Sequence, residues 1–170
     1  MLRLTCLVAA VALVSPAHAE RPTSATKGLL LELAGKRARV IELVDPAMGL
    51  VFLDHYLEPG EPPGTTSEQH LCGAAIQKFL KDVWTQEIGP AITGARDSKT
   101  LACTSATECS AGGAGEWDTV WHFKFIKDKA GRLFLRAITE DDEVLVEPAA
   151  IAKEHAGQTK VIDKLAVRCK

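Results

Sequence analysis

WDTVWHFKFIKDKAGRLFLRAI, running from Trp117 to Ile138, is the stretch on which the fold turns. Trp117, Thr119, Trp121, Phe123 and Phe125 alternate with Asp118, Val120, His122, Lys124 and Ile126. That is the period-two pattern of a strand with one buried face. With Lys127 to Gly131 as a loop, the spacing predicts an antiparallel hairpin in which Phe125 opposes Leu133, Phe123 opposes Leu135 and Trp121 opposes Ala137. One face is then wholly apolar, and a one-residue slip would mix it with the other. The second face carries His122, Lys124, Phe134 and Arg136, with Arg136 opposite His122.

Upstream, Thr65 and Glu68 form a capping-box pattern that predicts a helix over about Ser67 to Glu87, stopped by Gly89-Pro90. Its apolar stripe is Cys72, Ala75, Ile76, Phe79, Leu80 and Val83, which points Cys72 into the core. Gly49 to Tyr56 reads as a strand, preceded by the turn Asp45-Pro46-Ala47-Met48-Gly49 and followed by an exposed Pro- and Gly-rich loop over residues 58–64. Gly28 to Val44 has the spacing of one or two short helices broken near Gly35, with a strand over residues 39–44 as the alternative. Ser110 to Gly115 is a flexible connection, Glu140 to Glu143 opens an acidic loop, and Pro148 to His155 resembles a short helix. Thr159 to Cys169 fits a helix or a final strand.

The chain opens with Arg3, an apolar run over residues 4–14 and the small-x-small triplet Ala17-His18-Ala19. This is the pattern of an export signal over residues 1–19, cleaved before Glu20, and the run is too short to span a bilayer. Residues 20–26 then form a loose leader, and residues 27–170 a single domain of a size that buries a full core. Removing residues 1–19 takes away Arg3 and no acidic group, so the formal net charge of −2 becomes −3. Both signs are dispersed, which excludes the clustered basic face of a nucleic-acid binder. No integral membrane segment remains after cleavage.

Four cysteines stay in the mature chain: Cys72, Cys103, Cys109 and Cys169. In an oxidising compartment, periplasmic or extracellular, an even number predicts disulfides. The short spacing between Cys103 and Cys109 suits a local clasp, leaving Cys72 to pair with Cys169. In the chain-entropy account the short bridge contributes about 2 kcal/mol and the long one about 4.7 kcal/mol. No zinc-type Cys and His spacing is present, and no metal or cofactor is expected.

Standard catalytic motifs are absent, and the chain has no asparagine. Asp54-His55-Tyr56 sits at a strand end, where alternation makes Asp54 and His55 diverge, so these read as surface residues. Glu140-Asp141-Asp142-Glu143 lacks the ligand alternation and central glycine of a calcium loop and reads as a solvated turn. His122, Lys124, Phe134 and Arg136 are the candidate ligand-binding residues, since cations beside an imidazole suit an anionic ligand. Trp84, Trp117 and Trp121 read as core or core-edge residues.

The order of elements resembles the NTF2-like group, on the residues Val44-Asp45-Pro46-Ala47-Met48-Gly49-Leu50-Val51-Phe52 and on the hairpin from Trp121 to Ile138. The resemblance implies an α+β fold, a curved antiparallel sheet with a long helix packed on one face (NTF2-like or cystatin-like), and a pocket on the concave side. With the two disulfides added, the expectation is an exported bacterial binding or accessory domain for a small molecule or protein partner. The alternatives are an NTF2-like isomerase or hydrolase using His122 as acid and base with a carboxylate such as Asp118, and a structural envelope component. Intact-mass measurement of the protein exported by its own host tests the first step: the mature chain begins at Glu20, and an uncut chain retained in the cytoplasm would overturn the export reading.

Overall fold

The computed structural model describes residues 22–57, 64–112, 118–143, 158–165 and 167–170. The expected export signal, the loop tip at 58–63 and the short helix at 148–155 lie outside them. The fold is α+β, built on an open six-stranded sheet in the order β2-β1-β6-β5-β4-β3. The strands are β1 (Leu50–Leu57), β2 (Gly64–Leu71), β3 (Ala102–Cys103), β4 (Glu108–Gly112), β5 (Asp118–Lys127) and β6 (Leu133–Glu143). The expected all-antiparallel sheet is corrected in one place: β1 and β6 run parallel, with Val51 beside Ala137 and His55 beside Asp141. The sheet is therefore mixed.

That parallel pair explains the unbroken run Leu50-Val51-Phe52-Leu53, because a strand covered on both faces needs apolar side chains at every position. Leu50 and Phe52 join the larger core under the helices, while Val51 and Leu53 pack with Ala137 and Ile162 on the opposite face. Helices α1 (Pro22–Leu33) and α2 (Arg37–Glu42) belong to the larger core, where Leu30, Leu33 and Val40 are buried. Helix α1 begins inside the stretch expected to be a loose leader. Thr26 is buried there and its hydroxyl donates to the Ala106 carbonyl at 2.7 Å, a tertiary contact that composition does not reveal. Residues 158–165 are helical and cover the second face through Ile162, which closes the helix-or-strand choice for that part of the C-terminal segment.

The expected helix over 67–87 is displaced. Residues 64–71 form β2, so Thr65 and Glu68 face β1 across a ladder instead of capping a helix. Helical structure starts at α3 (Ala74–Phe79), widens into π turns over Leu80–Ile88, and runs on as α4 (Gly89–Asp97). Cys72 accordingly lies between β2 and α3, outside the helix. Leu80, Trp84, Ile88 and Ile92 are all buried and recur every four residues. An α-helix turns every 3.6 residues, so a four-residue stripe drifts around it unless wider turns take up the difference. The same widening accommodates Pro90, which has no N–H to donate. Gly89 replaces the expected stop with a close approach: a Cβ there would stand 2.3 Å from the Ala34 carbonyl oxygen.

Both disulfides have the expected pairing, Cys72 with Cys169 and Cys103 with Cys109. Cys103 and Cys109 are direct cross-strand partners on β3 and β4. Ser110, Ala111 and Gly112, expected in a flexible connection, belong to β4. Among the described residues no helix is long and apolar enough to cross a membrane.

The β5–β6 hairpin forms with its register moved by two residues near the turn, so Phe125 faces Leu135 and Lys127 faces Leu133. An even shift keeps each side chain on its own face. The cause is Asp128, whose Oδ1 accepts the Ala130 and Arg132 N–H groups at 2.9 Å each, while Gly131 takes φ 80°. This closes a short loop with a left-handed glycine, one of the standard hairpin connections. Further along, Arg136 is an extra residue between the pairs Phe125–Leu135 and Lys124–Ala137. Beyond this bulge the shift is odd: Phe123 faces Ile138, not Leu135, Trp121 faces Glu140, not Ala137, and His122 faces Thr139, not Arg136, so Ala137 turns to the opposite face with Val51 and Leu53. The apolar hairpin face is covered by the chain's own helices, with Trp84 edge-on to Phe123 at 6.1 Å.

Hydrogen bonds from the Arg132 side chain and backbone, joined by the Ala130 N–H, hold the Asp128 carboxyl below its ordinary pKa. A carboxyl with a depressed folded-state pKa stabilises the fold above its unfolded value and loses that contribution as pH falls through the folded one. Thermal unfolding of Asp128→Ala checks this: the variant melts lower than the parent at neutral pH, and the gap closes as pH drops below the ordinary carboxylate range.

Candidate functional site

The sheet face opposite α1 to α4 carries a row of polar residues on four adjacent strands. His55 comes from β1, Asp141 and Thr139 from β6, His122 and Lys124 from β5, and Ser110 from β4. Strand alternation places them together, because residues two apart share a face, and the cross-strand pairs His55–Asp141, His122–Thr139 and Ser110–His122 align the rows. A cleft of about 300 Å³ opens over this face, lined by Thr104, Ser110, His122, Lys124, Thr139 and Gln158 among others.

Asp141 is the centre of the arrangement. It is fully buried, accepts a hydrogen bond from Gln158 Nε2 on Oδ1 at 2.7 Å, and lies with Oδ2 3.0 Å from His122 Nε2. The His122 contact is an ion-pair distance without the alignment of a ring N–H hydrogen bond. Gln158 Nε2 also lies 3.4 Å from Nδ1 of the buried His55. A carboxylate withdrawn from water needs donors or a cation in compensation, and Gln158, His122 and the sheet supply that environment. His122 keeps a quarter of its side chain exposed and lines the cleft, so an imidazole beside a buried carboxylate stands where a ligand can reach it.

Of the four residues singled out in the sequence, His122 and Lys124 line this cleft, while Phe134 and Arg136 do not. Phe134 sits under the Arg132 guanidinium, 5.5 Å from its ring centre. Arg136, the bulge residue, turns to the 45–49 turn, where Nη1 donates to the Met48 carbonyl at 2.6 Å and the Gly49 carbonyl at 3.3 Å. Burial pushes its guanidinium below its ordinary pKa, against the pull of Asp163 and Asp45. The carboxylate beside His122 is Asp141 and not Asp118, which starts β5 and lies about 13 Å along the strand.

Three participants escaped the sequence reading. Alternation and composition predict His55 and Asp141 at the surface, yet they are 2% and 0% exposed, because the parallel β1–β6 pairing and residues 158–165 cover them. Gln158 carried no signal of its own. The legible hint was phase: Asp141 continues the alternation of Thr139, and His55 that of Val51 and Leu53. Trp84 and Trp121 are buried core residues, as expected, and the Trp84 Nε1–H donates to the Leu33 carbonyl at 3.3 Å.

No family model, curated protein or solved structure matches this chain.

Truncating Asp141 leaves the Gln158 amide without its acceptor in the interior. Asp141→Ala is expected to lower the unfolding free energy by about 1–3 kcal/mol in chemical denaturation, with Asp141→Asn closer to the parent because an amide oxygen still accepts.

Proposed function

We propose that the chain is an exported, non-catalytic binding or accessory domain that holds a small hydrogen-bonding ligand in the cleft over β4, β5 and β6. The observation that carries this reading is the placement of His122 beside the buried Asp141 at the wall of an open cleft lined by both polar and apolar groups. The cleft is at the lower end of the size range of ligand pockets, about 300–1,000 Å³. His122 and Lys124 supply directional and cationic contacts, and Ser110 and Thr139 add hydroxyls on the same face. The two disulfides accord with export into an oxidising space, periplasmic or extracellular. The likeness of the hairpin to the NTF2-like group supports the same reading, with the α+β sheet an NTF2-like or cystatin-like variant.

The second reading, an isomerase or hydrolase using His122 as acid and base, draws on the same pair, with Asp141 in the role first given to Asp118. Turnover of a retained ligand would favour it over simple binding.

Native mass spectrometry of the protein exported by its own host tests the proposal. The parent is expected to retain a small molecule that His122→Ala, with an unchanged circular dichroism spectrum, releases. Retention by the folded His122→Ala variant, or a parent that carries nothing, would overturn it.

A further inference from the structure

At the far edge of the sheet from this cleft, a second cluster joins the C-terminal tail to the end of β2. His70 and Cys72 are two apart, and Cys169 reaches them from 97 residues away through the disulfide. His70 Nε2 lies 3.9 Å from the Cys72 sulfur and 4.0 Å from the Cys169 sulfur. All three side chains are half-buried, and their donor atoms fall within 4.8 Å of one another. The cluster packs on bare backbone at Gly49, where a Cβ would stand 2.7 Å from the Cys169 sulfur and 2.9 Å from His70 Nε2.

We propose that His70, Cys72 and Cys169 form a redox-gated site for a thiophilic divalent cation of the zinc class, closed while the disulfide is intact and opened by its reduction. An external dithiol supplies two electrons and two protons, becomes a disulfide itself, and leaves Cys72 and Cys169 as thiols. The cation then displaces both thiol protons to solvent and binds two thiolates and one imidazole. Two sulfurs and one nitrogen suit a borderline-soft tetrahedral ion and leave the fourth position to water.

The geometry permits this with small movements. Bonds of about 2.3 Å to sulfur and 2.0 Å to nitrogen put tetrahedral ligand atoms about 3.5–3.8 Å apart, so His70 Nε2 must close by about half an ångström on each sulfur and its ring must turn from the Met48 carbonyl toward them. Ligation parts the two sulfurs to about 3.8 Å, which rotation about the side-chain bonds allows at a Cα separation of 5.8 Å. His70 Nε2 donates to the Met48 carbonyl at 2.8 Å, and ligation moves that proton to Nδ1. The carbonyl is not left bare, because Arg136 Nη1 also donates to it at 2.6 Å. Arg136 thus holds the 45–49 turn in place in both states.

Cobalt(II), a spectroscopic stand-in for zinc, tests the site in the full mature chain reduced with a phosphine. An equimolar signal with thiolate-to-cobalt charge transfer is expected, bleached by zinc and absent from the oxidised protein. The Cys103→Ser/Cys109→Ser variant keeps the signal and Cys72→Ser/Cys169→Ser loses it. His70→Ala weakens the affinity by no less than the roughly ten- to hundredfold that loss of an outer-shell partner costs. Zinc also raises the melting temperature of the reduced parent, since a ligand of the native state stabilises it. No signal in the reduced parent, a signal that follows Cys103 and Cys109, or an affinity indifferent to His70→Ala would each overturn the proposal. Failure of the reduced parent to fold even with zinc present would do the same.

Discussion

Burial of the β1–β6 parallel pair on both faces is the constraint from which the rest of the architecture follows. Strands that give up water on two sides must be apolar at successive positions, and β1 meets this with Leu50, Val51, Phe52 and Leu53. One face is closed by α1 to α4 through Leu30, Leu33, Trp84 and Ile88, and the other by residues 158–165 through Ile162. A parallel neighbour cannot be reached by a tight turn, so β1 and β6 come from distant parts of the chain, with β2, α3, α4, β3, β4 and β5 between them.

Where the apolar run ends, the same double coverage encloses polar groups. Two residues beyond Leu53 the second face presents His55, and β6 brings Asp141 alongside it. A lone carboxylate at that depth would be costly, and here Gln158 donates to it from above and His122 stands beside it. The candidate binding face is thus a by-product of the packing that stabilises the fold. The Cys72–Cys169 bridge closes the opposite end by fastening the tail to β2, where the Cys169 N–H also donates to the Ala47 carbonyl at 2.9 Å.

Local pattern was sufficient wherever one short-range rule acts unopposed. The existence of the hairpin, the 45–49 turn, the break near Gly35 and the Cys103–Cys109 pair depend on alternation, turn chemistry or reach, and Cys72 with Cys169 follows as the remaining pair. It failed where two local rules compete. Thr65 and Glu68 look like a helix cap, but pairing with β1 satisfies the backbone of residues 64–71 first. Gly89-Pro90 looks like a stop, but wide turns carry the helix past it so that Leu80, Trp84, Ile88 and Ile92 stay on one face.

A mixed helix-and-strand domain, the aromatic ribbon, the bridging cysteines and the presence of His122 and Lys124 on one sheet face are legible in the residue order, since each follows from neighbours a few residues apart or from covalent geometry. Packing across the whole fold sets the rest: β1 runs parallel to β6, Arg136 bulges away from His122, and Asp141, His55 and Gln158 meet in the interior. Those outcomes rest on contacts between residues 17 to 103 positions apart, whose partners are chosen by burial, a property no local window contains.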